Sequence, residues 1–143
     1  MQEKKHLAAI KEVGESLEDA IKDPRGLLKR QRLVMAAMSL GMQHIIEMWL
    51  HKSGAIKPGS IIKHEIFKSE EKRLKVKLAG LLTKDIRILK NSGKILEFAR
   101  EIERNRDDII YGAPLRNDSI LREKLDYFFE LKKAVKEAVG ELE

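Results

Sequence analysis

The sequence contains no cysteine, only three prolines, and one tryptophan, two tyrosines and four phenylalanines among 143 residues. Without cysteine the chain can form neither a disulfide framework nor a zinc–thiolate site, and a cytoplasmic location fits best. The aromatic residues are not interleaved with basic ones, as they are in proteins that bind single strands by stacking. Charged residues begin at Glu3, and the N-terminal segment lacks the apolar core of a signal peptide. No run approaches the roughly 18 apolar residues of a membrane span, so we expect no membrane partner.

Several catalytic and binding motifs are also absent. The sequence has no GxGxxG, GxxxxGK[ST], HExxH or GxSxG motif and no EF-hand loop. Dinucleotide-binding, P-loop, zinc-protease, serine-hydrolase and EF-hand functions therefore have no support from sequence motifs. We expect no cofactor and no metal ion.

Length and charge describe what the chain does contain. A chain of 143 residues with 43% hydrophobic and 36% charged residues predicts one domain, residues 1–143, with a real core. The formal net charge of +6 permits binding to nucleic acid, but does not require it, because many charges have partners at i,i+3 or i,i+4. The abundance of lysine and glutamate resembles the composition of thermophile proteins.

Helical periodicity runs through most of the chain. Apolar residues recur at helical spacing in five segments, and turn signals such as Asp23-Pro24 and Asn91-Ser92-Gly93 separate some of them. We predict an all-α, up-and-down bundle of about five helices. The predicted segments are 3–22, 26–53, 69–82, 95–112 and 118–142, with Ser69 as the N-cap of the third and Gly54 as the C-cap of the second.

The second predicted helix is apolar on nearly all sides. Met35, Met38 and Met42 lie on one face and continue towards Ile45 and Trp49. Such a helix is central, buried by its neighbours or by a second subunit. We expect a homodimer that uses the face around the three methionines together with the last helix.

One polar group interrupts this helix. His44, Glu47 and His51 share a face at i, i+3 and i+7, where imidazole and carboxylate groups could converge on a metal ion. The sequence places no fourth ligand, so we interpret the group as a polar edge in which Glu47 pairs with a neighbouring basic residue.

The segment Ile95–Gly112 carries the most unusual pattern. Phe98, Ile102 and Ile109 mark a buried stripe, with Asn105 and Arg106 at its edges, where leucine or isoleucine would be expected.

On one continuous helix, Arg104, Asp108 and Tyr111 would share the opposite face. Two interpretations are open. Arg104 and Asp108 form an exposed i,i+4 ion pair and Gly112 caps the helix, or the polar residues form a site.

Two stretches resemble the HEPN superfamily (higher eukaryotes and prokaryotes nucleotide-binding domain), a group of small five-helix, usually dimeric proteins. Ser39–Ile66 resembles the second helix of that family with its glutamate, followed by a G-x-x-P loop and a His-acidic-apolar segment. Arg104–Tyr111, RNRDDIIY, resembles the family motif R-N-x-x-x-H-x-Y.

The resemblance implies a nucleotide- or RNA-binding protein of a toxin–antitoxin or nucleotidyltransferase-paired system. It assigns catalytic roles to Arg104, Asn105 and Tyr111. For binding of nucleotide or RNA we predict Arg104 together with its neighbours Arg106 and Asp108, which the family motif does not specify. It also implies a homodimer and a minimal nucleotidyltransferase as the partner antitoxin. Ile109 stands where active members carry histidine, and isoleucine cannot carry a proton. We therefore expect a degenerate ribonuclease motif with weak or absent turnover, unless the remaining polar residues form a variant site.

Two other functions fit the same sequence. In the first, the chain is a non-enzymatic helical dimerisation or interaction protein whose basic residues serve solubility. In the second, it is a DNA-binding regulator, although no short recognition helix stands out.

Overall fold

The predicted helical class is confirmed. The computed structural model describes residues 2–140, and within that range all regular elements are helical, with no strand. The described α-helices are α1 (Gln2–Lys22), α2 (Gln31–Lys52), α3 (Glu71–Ala79), α4 (Ser92–Glu103), α5 (Arg106–Tyr111) and α6 (Ser119–Val139). Short 3-10 turns lie at Leu27–Arg30, His64–Lys68 and Ile86–Ile88. The last helix ends at Val139, earlier than the predicted end near Leu142, and Gly140 follows it with a positive φ of 93°; Leu142 itself lies outside the described residues.

The third helix is shorter than the predicted segment 69–82. Ser69 is not its N-cap, because its hydroxyl accepts a hydrogen bond from Lys77 Nζ at 2.7 Å and the helix begins at Glu71. After Ala79 the chain turns back, and Thr83 N donates to the carbonyl of Ala55 at 2.7 Å. This bond to the loop after α2 replaces another helical turn. The end of α2 lies close to the predicted one. The helix ends at Lys52 with Ser53 as its C-cap, and Gly54, which was predicted as the C-cap, follows with a left-handed φ of 65°.

Helix α2 lies at the centre and packs against α1, α4, α5 and α6. Its pairing with α1 is antiparallel, because His6 lies beside His44, and Val13 lies opposite Gly41. A Cβ at residue 41 would come within 2.7 Å of Val13 Cγ1 and 2.9 Å of the Phe128 ring. Glycine therefore allows α1, α2 and α6 to meet closely at this point.

Helices α4 and α6 form the second antiparallel pair. Asn91, before α4, donates a hydrogen bond to the carbonyl of Ala134 near the end of α6. Further along, the rings of Phe98 and Tyr127 lie 6.1 Å apart. The two pairs share one core, to which α1, α2, α4 and α6 all contribute buried aliphatic residues.

The predicted dimer face of methionines is wrong. Met35, Met38 and Met42 are each 0% exposed in the single chain, because α1, α4 and α6 already cover them. The apolar residues that α2 leaves exposed are Leu33 and Leu40.

By length and hydropathy alone, one helical stretch could cross a membrane, namely Leu27–Lys52. Of its most apolar window, 67% is buried inside the structure. The core helix of a soluble protein passes the same test, so this stretch is weak evidence for a membrane span.

Candidate functional site

The predicted continuous helix 95–112 is wrong: the chain breaks in its middle. Arg104 leaves the helical region with ψ 128°, and Asn105 adopts a left-handed conformation with φ 59°. Asparagine tolerates this conformation better than most residues. Helix α4 therefore ends at Glu103, and α5 begins at Arg106.

The break changes the surroundings of the predicted site residues. Arg104, Asp108 and Tyr111 do not share a helix face, because Arg104 precedes the turn. Asn105 is exposed and shapes the turn through its backbone, so it does not lie at the edge of the core as predicted. Tyr111 is 78% exposed.

A groove of about 360 Å³ opens at this break. We call it the Arg-Asn groove. Its walls are formed by the end of α4, the turn, the start of α5, and the segment between the His64–Lys68 turn and α3. The lining residues are Phe67, Lys68, Glu70, Arg100 and residues 103–108. The predicted residues Arg104, Asn105, Arg106 and Asp108 are thus together, whereas Tyr111 is not among the lining residues.

The charges of the groove are arranged in pairs. Lys68 Nζ lies 2.5 Å from Asp107 Oδ2, and this hydrogen bond raises the pKa of Lys68 and lowers the pKa of Asp107. Arg106 contacts the other oxygen of Asp107 at 3.0 Å. Arg104 pairs with Glu101 at 3.2 Å, and its side chain is 61% exposed. Arg104 is therefore the arginine of this turn that solvent and a ligand can reach most freely.

One of the residues that line the groove, Glu103, is a buried carboxylate. Glu103 is 1% exposed, and its Oε2 accepts a hydrogen bond from Ser39 Oγ at 3.0 Å. Its Oε1 accepts a hydrogen bond from His64 Nδ1 at 2.6 Å and lies 3.9 Å from Arg106 Nε. Glu103, at the end of α4, thus contacts three other parts of the chain: α2, the segment before α3, and α5.

The sequence interpretation missed this network. No role was assigned to His64 or to Glu103 from the sequence. The partners are separated by 39 and 64 residues along the chain, so local periodicity could not reveal them. The resemblance did mark both partners of Glu103, because Ser39 and His64 lie in the first stretch and Glu103 directly precedes the second.

Ile109 is a core residue. It is 3% exposed and belongs to the main hydrophobic cluster. The position at which the resembling family carries histidine therefore supplies no proton carrier to the groove.

His44, Glu47 and His51 on α2 are joined in the structure by a fourth side chain, His6 on α1. His6 lies against His44 and Glu47, and its ring stacks on that of His51 with centroids 5.7 Å apart. Burial lowers the pKa values of His6 and His44 below 6.5, and the neighbouring histidine charge acts in the same direction. The expected pairing of Glu47 with a basic residue is present, since His6 lies 3.3 Å from it, but the group is not an exposed polar edge, because Glu47 is only 4% exposed.

Comparisons of the chain with family models, curated proteins and solved structures found no match. The arguments about function consequently rest on the residues, their geometry and the motif resemblance described above.

Proposed function

We propose that the Arg-Asn groove binds the phosphate groups of RNA or of a nucleotide. The observation that carries the proposal is the convergence of four cationic side chains on one groove. These are Lys68, Arg100, Arg104 and Arg106, and they come from three separate segments of the chain. Arginine presents a planar fork of N–H donors that matches two oxygens of one phosphate.

Four anionic residues also line the groove, namely Glu70, Glu103, Asp107 and Asp108, so a phosphate must bind through cations whose own partners can be displaced. Glu103 is engaged in the network with Ser39 and His64. Glu101 and Asp107 pair with the cations near the surface, where ion pairs contribute little and exchange readily. A phosphate can therefore replace Glu101, the half-buried partner of the exposed Arg104, and form charge-assisted hydrogen bonds with this arginine.

The wider function follows from the resemblance to HEPN proteins. On that basis we propose a nucleotide- or RNA-binding component of a toxin–antitoxin or nucleotidyltransferase-paired system, acting in the cytoplasm as a homodimer. A minimal nucleotidyltransferase is the expected partner. Ile109 is buried and offers no proton carrier, which supports a protein that binds RNA or nucleotide without ribonuclease turnover.

A second candidate function is metal-independent RNA cleavage with His64 as the proton carrier. The specific observation is the short bond from His64 to the buried Glu103, which orients the imidazole beside the groove. A carboxylate that holds a histidine in this way is a common arrangement for general acid–base catalysis. In this candidate, Arg104 and Arg106 hold the phosphate and His64 transfers the proton.

Binding to a fluorescently labelled single-stranded RNA tests the proposal, with ATP as the competing nucleotide. We expect affinity to fall steeply between about 50 mM and about 200 mM salt. Arg104→Ala should weaken binding about tenfold or more, since a charge-assisted hydrogen bond is lost. The matched control is Arg122→Ala, because Arg122 is 62% exposed, pairs with Asp118 at i,i+4 and is not among the groove-lining residues.

The outcomes separate the candidates. Equal losses from Arg104→Ala and Arg122→Ala would contradict a phosphate site in the groove. Absence of binding to both RNA and ATP would favour the non-enzymatic interaction protein. RNA cleavage that persists in EDTA and is lost in His64→Gln would support the second candidate and show that the residues around the groove are competent for turnover.

A further inference from the structure

The histidine cluster between α1 and α2 is separate from the groove. We propose that His6, His44 and Glu47 form a binding site for one zinc ion, or for a similar divalent transition metal. His6 projects from the first turns of α1, and the other two residues project from one face of α2. The antiparallel packing of the two helices brings them together.

The distances suit a single metal ion. His6 Nδ1 and His44 Nδ1 lie 3.0 Å apart, and His6 Nε2 lies 3.3 Å from Glu47 Oε2. One donor atom from each of the three side chains falls within 4.8 Å of the others. Two ligands of a tetrahedral zinc ion, each at about 2.0–2.1 Å from the metal, lie about 3.3 Å from each other. The two short distances end on different nitrogen atoms of His6, so one ion would bind only one of them, and a rotation of the His6 ring would turn that atom towards both His44 and Glu47.

Buried nitrogen atoms without hydrogen-bond partners point to an ion. Nε2 of His6 and Nε2 of His51 are both buried and form no hydrogen bond; the 3.3 Å contact of His6 Nε2 with Glu47 Oε2 lacks hydrogen-bond geometry. His6 is 3% exposed, so water does not readily compensate for the missing bond. A metal ion that binds His6 would satisfy this environment, and the stacked ring of His51 is the next available donor.

The carboxylate is already oriented for this role. Glu47 Oε1 accepts a hydrogen bond from Ile62 N at 2.8 Å, which leaves Oε2 facing His6. Such an outer hydrogen bond fixes a ligand and is typical of metal sites. Two histidines and one glutamate fill three of the four positions of a tetrahedral zinc ion, and His51, whose ring stacks on that of His6, is the candidate for the fourth position.

The predicted role of the ion is structural. It would join the start of α1 to α2 and, through Glu47, to the segment that begins at Ile62. His64 in that segment also contacts α2, since its backbone N–H donates a hydrogen bond to Gln43 Oε1 at 3.1 Å. Metal binding would therefore raise thermal stability without acting in the Arg-Asn groove.

Zinc titration of untagged, EDTA-stripped and dialysed protein tests the inference. We expect one zinc ion bound per chain, a higher melting temperature with ZnCl2 and no effect of MgCl2. With CoCl2 we expect the visible absorption of four-coordinate cobalt. His6→Gln and His44→Gln should each weaken zinc binding about tenfold or more, whereas the melting temperature of the metal-free protein should change less than the metal-induced shift.

The control is His64→Gln, which removes a histidine that also contacts carboxylates but lies outside the cluster. It should retain full zinc binding. Failure of the wild-type chain to bind zinc would overturn the proposal, as would unchanged binding in both cluster variants or loss of binding in His64→Gln. Should His6→Gln fail to fold, the half-buried His44→Gln and its circular dichroism decide the question. None of these results depends on RNA binding.

Discussion

At the residue scale, Lys124 stabilises the turn that shapes the groove. It lies on α6, is buried, and donates hydrogen bonds to the carbonyl oxygens of Glu101 at 2.8 Å, Ile102 at 2.9 Å and Arg104. Carbonyl groups at the end of a helix have no partner within the helix. The ammonium group supplies these partners and so allows α4 to end at Glu103.

Replacing this ammonium group should destabilise the protein. We expect Lys124→Met to lower the free energy of unfolding by about 1–3 kcal/mol, because buried carbonyls lose their donor. Urea denaturation measures the change. The matched control is Lys133→Met on the exposed face of the same helix, which should change stability by about 0.5 kcal/mol or less. Equal effects would contradict the capping role.

The stability difference should also depend on pH. Burial lowers the pKa of Lys124 from 10.5 to about 8, although Glu101 and Glu103 act in the opposite direction. Between these two values the unfolded chain binds the proton and the folded chain does not, so this group raises the free energy of unfolding as pH increases. Its contribution is fully present above 10.5 and is lost as pH falls through about 8. The gap between wild type and Lys124→Met should therefore widen from pH 7 towards pH 10, and a constant gap would contradict the lowered pKa.

At the scale of elements, the break between α4 and α5 depends on the left-handed backbone of Asn105. We expect Asn105→Leu to cost about 1–2 kcal/mol, because a branched side chain is strained in that conformation. Asn105→Gly should remain within about 0.5 kcal/mol of wild type, since glycine adopts a positive φ freely. Thermal denaturation of the two variants tests this. If both lose stability equally, the asparagine side chain and not its backbone is the important feature.

The elements were predicted unevenly for a physical reason. Helix α1, the Asp23-Pro24 turn and the end of α2 near Gly54 depend on local periodicity and local backbone preference, and all three agree with the structure. The continuous helix 95–112 was wrong because periodicity does not register a cap supplied by Lys124 from another helix.

At the scale of the whole molecule, a homodimer is still expected, but through a different surface. Leu33 and Leu40 lie seven residues apart on α2 and are exposed at 73% and 49%. We expect sedimentation at micromolar concentration to show a dimer that Leu33→Glu weakens, because a charge would be buried in an apolar interface. The control is Val76→Glu on α3, where valine is equally exposed. A monomeric wild type, or equal effects of both changes, would contradict this interface.

The amino-acid sequence by itself determined the all-helical class and the central position of α2, because these follow from residue types and their local spacing. It also singled out Arg104–Asp108, whose role stays a prediction. Only the tertiary structure decided which side chains meet. It brought His64 and Ser39 to Glu103, and His6 to Glu47. The spacing of apolar residues reports which face of a helix is buried. It carries no information about which polar groups lie on the facing helix. The polar pairs between helices are therefore determined only by the packing of the bundle.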